Sequence, residues 1–205
     1  MVNIYLLIAI VAGYIVGSIP WALIVGKVFY GVDVRKHGSG NLGGTNVLRT
    51  LGKVPGISVM VLDALKAFLF MVVLHLLGMD KYSPFAGLAV CFGHCFPVFA
   101  GFKGGKAVAS AVGYVLAMNI FVEQQITICW LVPMLVFLGI LFSTRYMSLA
   151  SISVQVLFAL TAIIFYTNKL NALCVTLLAI FIIYKHKDNI KRLKNKTEKK
   201  LGFKK

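Results

Sequence analysis

Four clusters of polar residues and glycine interrupt this otherwise apolar chain, and they hold the groups that could bind an anion. The first runs from His37 to Asn46, where four of ten residues are glycine, and it continues to Arg49. A flexible linker has this composition. A backbone opened by glycine can instead turn N–H groups toward a phosphate, to which an arginine adds charge-assisted hydrogen bonds. Both interpretations are open at this point.

The second cluster, residues 93–110, contains the pair Gly104-Gly105 flanked by Lys103 and Lys106. It lies directly before an apolar run, so a helix N-terminus would add positive charge beside the lysines. It is not a Walker A loop, because the first glycine and the final Ser or Thr of that pattern are missing. A phosphate-binding loop and an ordinary turn remain as alternatives.

The third and fourth clusters lie nearer the C-terminus. The third, residues 145–151, contains Arg145 and Ser148. In the fourth, helical periodicity places four residues on one face: His186, Asn189, Ile190 and Leu193. Lysines and Arg192 occupy the other positions. A basic amphipathic helix on anionic lipid explains these cations, but not two polar groups on the face that should look toward the protein.

The composition is that of a membrane protein. Hydrophobic residues make up 60% of 205 and charged residues only 13%, about half the usual share in soluble proteins. The formal net charge is +15, but the basic residues lie outside the apolar runs, which favours anionic lipid over nucleic acid as their partner. Four cysteines have no framework spacing and are expected to be free and buried: Cys91, Cys95, Cys129 and Cys174. A metal site at Cys91, His94 and Cys95 would lack a fourth ligand.

Hydropathy predicts an all-α integral membrane protein with seven transmembrane helices, at 4–26, 55–77, 83–100, 107–122, 125–142, 147–166 and 170–184. Of the 21 Lys and Arg residues, 18 fall in alternate connections and the tail, and only Lys81 and Lys169 fall on the opposite side. The positive-inside rule therefore places the N-terminus outside and the C-terminus in the cytoplasm. We expect a seven-span domain, 1–184, with glycine-rich cytoplasmic catalytic loops, and a basic tail, 185–205, that contributes to the site.

This topology puts all four polar clusters on the cytoplasmic side. Polar clusters confined to one side of the membrane favour a membrane-surface enzyme with a water-soluble substrate. A transporter more often has ionisable groups near the middle of the bilayer. Asp63 and Lys66 are the exception, three residues apart within the second span. An internal ion pair and a lysine that reaches to the interface are the two explanations.

The four clusters together resemble the bacterial acyl-phosphate:glycerol-3-phosphate acyltransferases, the integral-membrane PlsY family. The first cluster matches the family motif GSGNxGxTNxxR, the second GHxFPxFxxFKGGKxVA, and the tail HxxNIxRLxxGxE, with Glu198 as its last residue. The segment from Arg145 to Ser151 is similar to the family's Arg-x-x-Ser-x-x-Ser. The motifs occur in the family's order along the whole chain.

The resemblance implies transfer of a fatty acyl group from acyl phosphate to the 1-hydroxyl of sn-glycerol 3-phosphate, giving lysophosphatidic acid and inorganic phosphate. It implies no cofactor, a bacterial cytoplasmic (inner) membrane location, and acyl phosphate, sn-glycerol 3-phosphate and anionic membrane lipids as partners, without nucleic acid. The alternatives are a membrane transporter of a phosphate ester and a lipid-recruiting scaffold.

Residue roles follow from direct attack of the glycerol hydroxyl on the acyl carbonyl. We expect five catalytic residues: Ser39, Asn41, Arg49, His186 and Asn189. Ser39 and Asn41 would orient phosphate or donate to the oxyanion, and His186 is a possible base. An acyl-enzyme at Ser39 is an alternative. The expected substrate-binding residues are Gly38, Gly40, Gly43, Thr45, Asn46, Lys103, Gly104, Gly105, Lys106, Arg145, Ser148 and Arg192.

A different pattern, His75 to Asp80, fits the H-x-x-x-x-D arrangement that a separate group of glycerophosphate acyltransferases uses with acyl thioesters. Two fixed letters in six residues arise easily by chance. The charge distribution also places this pair at the external end of the second span, across a hydrocarbon core of about 30 Å from the glycine-rich loops. We therefore expect it to play no part in catalysis.

Overall fold

The computed structural model describes residues 4–202 and is all-α, with ten α-helices and no strand in that range. The helices are α1 (Ile4–Gly17), α2 (Trp21–Tyr30), α3 (Gly44–Leu51), α4 (Lys53–Leu76), α5 (Ser83–Cys95), α6 (Val108–Ala117), α7 (Val132–Thr144), α8 (Met147–Phe165), α9 (Lys169–Lys185) and α10 (Lys187–Lys194). Contacts divide the chain into two compact units, one ending at Val122 and the other beginning at Glu123.

In the first unit, glycines let helix backbones approach closely. α1 packs against α5, where a side chain at Gly17 would overlap the backbone of Val90. α4 packs against α6, where a side chain at Gly113 would overlap the Ala64 carbonyl. Small residues at helix contacts are the usual means of association in membranes, because lipid gives no hydrophobic drive for two apolar helices to meet.

The second unit is built from α7 to α10, with α8 packed against α7, α9 and α10. A buried carboxylate secures the start of α9. Glu123 accepts a hydrogen bond of 2.6 Å from the Asn171 side chain and one of 2.9 Å from the Thr167 N–H. These bonds satisfy a charge that burial would otherwise make costly.

Among residues 4–202, five helical segments are long and apolar enough to cross a membrane: Ile4–Tyr30, Lys53–Leu76, Asp80–Ala100, Thr127–Thr144 and Met147–Phe165. A sixth candidate is the pair α9 and α10, bent by 57° at His186. The remaining predicted span coincides with a shorter apolar helix, Val108–Val122. Most of these helices expose large apolar side chains, the surface that lipid covers.

These findings confirm an all-α protein whose apolar helices can span a membrane. Each of the seven predicted segments is helical, although α9 ends at Lys185 and the tail continues as a separate short helix. The crossing of all seven segments and the orientation of the termini stay predictions, as does the separation of the tail from the rest at residue 184. The four cysteines are free and buried, as expected.

Candidate active site

The Asn46 side chain organises the first glycine-rich loop, residues 37–46. Its carbonyl oxygen accepts a 2.8 Å hydrogen bond from the Ser39 N–H. Its amide donates to the carbonyl oxygens of Val34 at 2.9 Å and His37 at 3.2 Å. Asn46 is 2% exposed, so these bonds are formed away from water and hold the loop in one conformation. Its role is to shape the loop.

Two glycines are required by the backbone of this loop. Gly38 and Gly40 have φ angles of +61° and +70°, in the left-handed region that favours glycine. A side chain at Gly38 would also overlap the Oδ1 atom of the Asn46 side chain. The glycines therefore allow the tight path that Asn46 stabilises, and a flexible linker is excluded for this segment.

The polar side chains of the loop lie together at its exposed part. The Asn41 amide donates to the Ser39 hydroxyl oxygen at 3.3 Å. The next residues form α3, which has Thr45 in its first turn and the exposed Arg49 in its second. An 8-residue helix whose N-terminus adjoins this loop adds a partial positive charge there.

The second loop, residues 101–107, folds back onto the C-terminus of α5. The Gly104 N–H donates to the Cys95 carbonyl oxygen at 3.2 Å, and the Gly105 N–H donates to the His94 carbonyl oxygen at 3.1 Å. Helix-terminal carbonyl groups thus already accept from these two N–H groups, which favours the ordinary turn over a phosphate site made by the backbone of this glycine pair. The glycines serve close packing, since a side chain at Gly104 would overlap the His94 carbonyl oxygen.

The two loops meet at Gly105. A Cβ atom on this residue would lie 2.9 Å from the Leu42 carbonyl oxygen of the first loop and would overlap the His94 ring. Leu42 in turn packs in a buried apolar cluster formed by Ala22, Val25, Val34, Leu42, Val47, Val59 and Ala100. Lys103 and Lys106, on either side of the glycine pair, are thus brought next to the first loop.

A buried charged trio lies behind this contact. The Lys66 Nζ atom is 2.8 Å from Asp63 Oδ1, 3.1 Å from His94 Nδ1 and 3.1 Å from the Ile19 carbonyl oxygen. The Asp63 and Lys66 side chains are only 2% and 3% exposed. The sequence identified this ion pair as one explanation of Asp63 and Lys66, but it missed His94 as its third member. The signal lay in the second motif, where His94 had been considered only as a metal ligand.

In the second unit, Glu198 gathers the polar side chains of the third and fourth clusters. Its Oε1 atom accepts from the Ser148 hydroxyl at 2.9 Å and from the Asn189 amide at 2.7 Å. Its Oε2 atom accepts from the Arg192 Nε–H at 2.6 Å. The motif included Glu198, but sequence reasoning gave it no role, because nothing in its spacing shows a partner 50 residues away.

His186 lies at the junction of α9 and α10, where it is 4% exposed. Its Nδ1 atom is 2.8 Å from the Ile182 carbonyl oxygen, which can only accept, so Nδ1 carries a proton. In the neutral ring, Nε2 is then the atom that can accept a proton. Asn189 is also buried, which confirms the expected polar face of the tail helix.

Arg145 ends α7 in the left-handed conformation, with a φ of +61°. Its carbonyl oxygen accepts a 2.8 Å hydrogen bond from the Leu201 N–H, and Leu201 is buried. The chain after Glu198 is therefore fastened to the turn that presents the exposed Arg145 side chain.

His75 and Asp80 do form a pair, with His75 Nδ1 3.1 Å from the carboxylate, and the His75 ring stacks on Phe121 at 4.5 Å. The pair lies at the opposite end of α4 from α3, which packs at Gly56. Nineteen residues of helix separate Gly56 from His75, or about 28 Å. Within residues 4–202, no three His, Cys, Asp or Glu side chains are grouped to hold a metal ion.

The Glu198 carboxylate should make the stability of the second unit depend on pH. Burial alone would raise the pKa of Glu198, but the bonds from Arg192, Asn189 and Ser148 outweigh it and lower the pKa below the ordinary value. A lowered pKa means that the carboxylate stabilises the fold above about pH 4.3 and that this stability is lost as pH falls through the folded-state pKa. Glu198→Gln should lower stability by about 1–2 kcal/mol at pH 7, and the difference from wild type should shrink toward pH 3.

Thermal unfolding of detergent-solubilised protein between pH 3 and pH 7 measures this difference. Asp188→Asn is the matched control, because it removes an exposed carboxylate from the preceding helix, α10. Equal pH profiles for Glu198→Gln and wild type would contradict the role given to Glu198.

With this geometry described, similarity to known proteins identifies the chain. The family model for glycerol-3-phosphate acyltransferase matches residues 7–196. A glycerol-3-phosphate acyltransferase of Bacillus cereus (strain G9842) is 45% identical over 205 residues, covering 100% of this chain and 98% of that protein. One of Geobacillus kaustophilus (strain HTA426) is 42% identical over 191 residues, covering 93% of both chains.

Solved structures indicate the same family. The crystal structure of PlsY (YgiH), an integral membrane glycerol 3-phosphate acyltransferase, in its glycerol 3-phosphate form has a TM-score of 0.85 and 38% identity, covering 97% of this chain and 96% of that one. Its lysophosphatidic acid form has the same TM-score and coverage at 36% identity. The chain is therefore a member of the glycerol-3-phosphate acyltransferase family and a multi-pass membrane protein.

Proposed function

We propose that this acyltransferase takes its acyl group from acyl phosphate and transfers it to the 1-hydroxyl of sn-glycerol 3-phosphate. The observation that carries the proposal is the meeting of the two glycine loops at Gly105 and Leu42, which gathers lysines beside the polar end of the first loop. Both substrates contain phosphate, and cations beside an ordered loop are suited to bind it. The products are lysophosphatidic acid and inorganic phosphate.

In the first unit, Arg49, Lys103 and Lys106 hold phosphate by charge. Ser39 and Asn41, already in contact, orient the phosphate or donate to the oxygen that becomes negative during attack. Gly38, Gly40, Gly43, Gly104 and Gly105 serve the substrate through the loop shapes that they allow. Thr45 lies at the start of α3, beside the positive end of the helix, and Asn46 preserves the loop.

In the second unit, His186 and Asn189 position glycerol 3-phosphate, and His186 accepts the proton through Nε2, because its Nδ1 atom donates to Ile182. The phosphate that leaves is itself able to take the hydroxyl proton. Arg145 and Arg192 supply positive charge to the substrate, while Ser148 and Arg192 hold the carboxylate of Glu198. The tail, 185–205, thereby contributes to catalysis and also binds anionic lipid.

We further propose that the chain crosses a bacterial cytoplasmic membrane seven times with its N-terminus outside. The distribution of Lys and Arg supports this orientation, since 18 of 21 fall on one side. The shorter α6 and the bent α9–α10 pair would then provide the fourth and seventh spans. Both glycine loops and the tail would face the cytoplasm, where glycerol 3-phosphate is soluble.

A direct assay tests the proposed donor. Purified protein in detergent, supplied with palmitoyl phosphate and glycerol 3-phosphate, should release phosphate and form lysophosphatidic acid in equal amounts. Palmitoyl-CoA should not replace palmitoyl phosphate. Efficient use of the thioester, or phosphate release without glycerol 3-phosphate, would overturn direct transfer from acyl phosphate. A transporter would instead move substrate into vesicles without any chemistry.

Arg49→Ala should lower kcat/KM about a hundredfold while the protein still folds. A hydrogen bond to a charged group contributes about 1.5–3 kcal/mol, and arginine commonly makes two with a phosphate. Arg35→Ala is the matched control, because Arg35 is also exposed but pairs with Asp33 before the loop. Wild-type kinetics in folded Arg49→Ala would remove Arg49 from the site.

His186→Ala should lower kcat about a hundredfold, the usual effect of losing a positioned acid–base group. Lys194→Ala, an exposed cation on the following helix, should keep wild-type activity. If the lysine variant lost activity and the histidine variant did not, the tail would act through charge alone.

The double variant His75→Ala, Asp80→Ala should keep most of its activity. The pair is half-exposed and lies about 28 Å along α4 from the contact with α3, beyond the roughly 3 Å reach of proton transfer. Its loss should cost stability of about 1 kcal/mol or less, as for other exposed pairs. Steady-state kinetics and thermal unfolding of the same preparation separate the two effects, and loss of turnover in folded protein would place the pair in catalysis.

A further inference from the structure

The buried trio of Asp63, Lys66 and His94 has no part in the proposed chemistry, yet its three side chains lie within 3.3 Å of one another. A lysine ammonium has three protons and no acceptor. Lys66 faces three acceptors within 3.1 Å: Asp63 Oδ1, the Ile19 carbonyl oxygen and His94 Nδ1. Lys66 therefore hydrogen-bonds to His94 Nδ1 and to the Ile19 carbonyl oxygen and forms an ion pair with Asp63, all in a buried site.

This arrangement favours one protonation state of the His94 ring. Because Lys66 can only donate, His94 Nδ1 accepts through its lone pair, and the proton of the neutral ring is on Nε2. The competing contact, from Nδ1 to Asp63 Oδ1, is longer at 3.3 Å and would require a proton on Nδ1. The two contacts demand opposite states of the same nitrogen, and the shorter one, at 3.1 Å, belongs to lysine.

The other edge of the ring supports the second glycine loop. His94 Nε2 lies against Gly105, where any side chain would overlap it, and the His94 carbonyl oxygen accepts from the Gly105 N–H. The same residue therefore binds the loop through its backbone and limits its position through its ring. Gly105 is the point at which this loop meets Leu42 of the first loop.

We propose that Lys66, together with Asp63, is a positioning residue: it fixes His94 with its proton on Nε2, and the fixed ring sets the place of Gly105 and of the flanking Lys103 and Lys106. This inference rests on the proposed assignment of the two lysines to phosphate. Its physical basis is that a group that binds substrate must be held by neighbours whose own side chains are locked.

The cost of the trio supports a positioning role over a stabilising one. Two charges taken out of water rarely stabilise a fold more than apolar residues of the same volume would. The surrounding helix α4 is otherwise strongly apolar and could have filled this position with such residues. A lysine–aspartate pair does what apolar residues cannot, because it selects one protonation state and one orientation of an imidazole.

The first test is spectroscopic and uses the wild-type protein. In ¹⁵N-histidine-labelled protein, nitrogen chemical shifts should show His94 with an unprotonated Nδ1 and a protonated Nε2. The chain contains four histidines, so His94→Gln assigns the signal. In Lys66→Met, the proton should move to Nδ1, where Asp63 can accept it. A proton on Nδ1 in wild type, or no change in Lys66→Met, would overturn the proposal.

The second test is kinetic and removes both charges together. Asp63→Asn, Lys66→Met leaves no unpaired charge, so it should fold, but kcat/KM should fall about tenfold to a hundredfold, as expected for misplaced binding groups. Gly105→Ala should do the same, because its methyl group displaces the ring. Glu123→Gln is the control, since it weakens an unrelated buried carboxylate and should leave kcat/KM unchanged in folded protein.

A purely structural role predicts a different pattern. The double variant would then differ from wild type in unfolding temperature alone, and wild-type kcat/KM in that variant would overturn the proposal. If the double variant does not fold, the kinetics of Gly105→Ala and the wild-type nitrogen chemical shifts still test whether His94 is held with its proton on Nε2. If Lys106→Ala proved fully active, the proposed phosphate assignment would fail, whereas the state of His94 would still be decided by the spectrum.

Discussion

The close approach of backbone to side chain at Gly105 is the constraint on which the first unit depends. There is no room for a Cβ atom between the His94 ring and the Leu42 carbonyl oxygen. Because interiors are packed at high density, neither neighbour can withdraw without disturbing what lies behind it. Behind His94 is the Asp63–Lys66 pair, and behind Leu42 is the apolar cluster beneath the first loop. The position of one glycine thus links a buried charge network to two loops.

In each unit, a buried polar side chain holds a segment that carries proposed site residues. A segment that must present polar groups to a charged substrate needs rigid support, and in the first loop and in the tail one buried polar side chain provides it. Asn46 fills this role for the first loop and Glu198 for the tail. Both make three hydrogen bonds, to partners 6 to 50 positions away along the chain. In surroundings of low polarity such bonds are strong, and an unsatisfied group there would be costly, so one arrangement prevails.

The glycines have two distinct functions that composition does not distinguish. In the first loop, Gly38 and Gly40 adopt backbone angles that other residues avoid. In the second, Gly104 and Gly105 leave room for the backbone and the ring of His94. Their N–H groups donate to carbonyl oxygens at the end of α5. Cationic side chains therefore carry the proposed binding of phosphate at the second loop, while its backbone defines where they stand. This division also explains why the pattern there is not that of a nucleotide-binding loop.

The sequence by itself determined the class of protein, the positions of the helices and the family, because hydropathy and motif spacing are local properties of the chain. It also placed His186 and Asn189 on one helix face, and both are buried. Only the tertiary structure decided that His94 joins Asp63 and Lys66, that Glu198 binds Ser148, and that the N–H groups of Gly104 and Gly105 are already bonded. These contacts join residues 9 to 50 positions apart or depend on the direction of single N–H groups. Such information arises only when packing brings separate segments together.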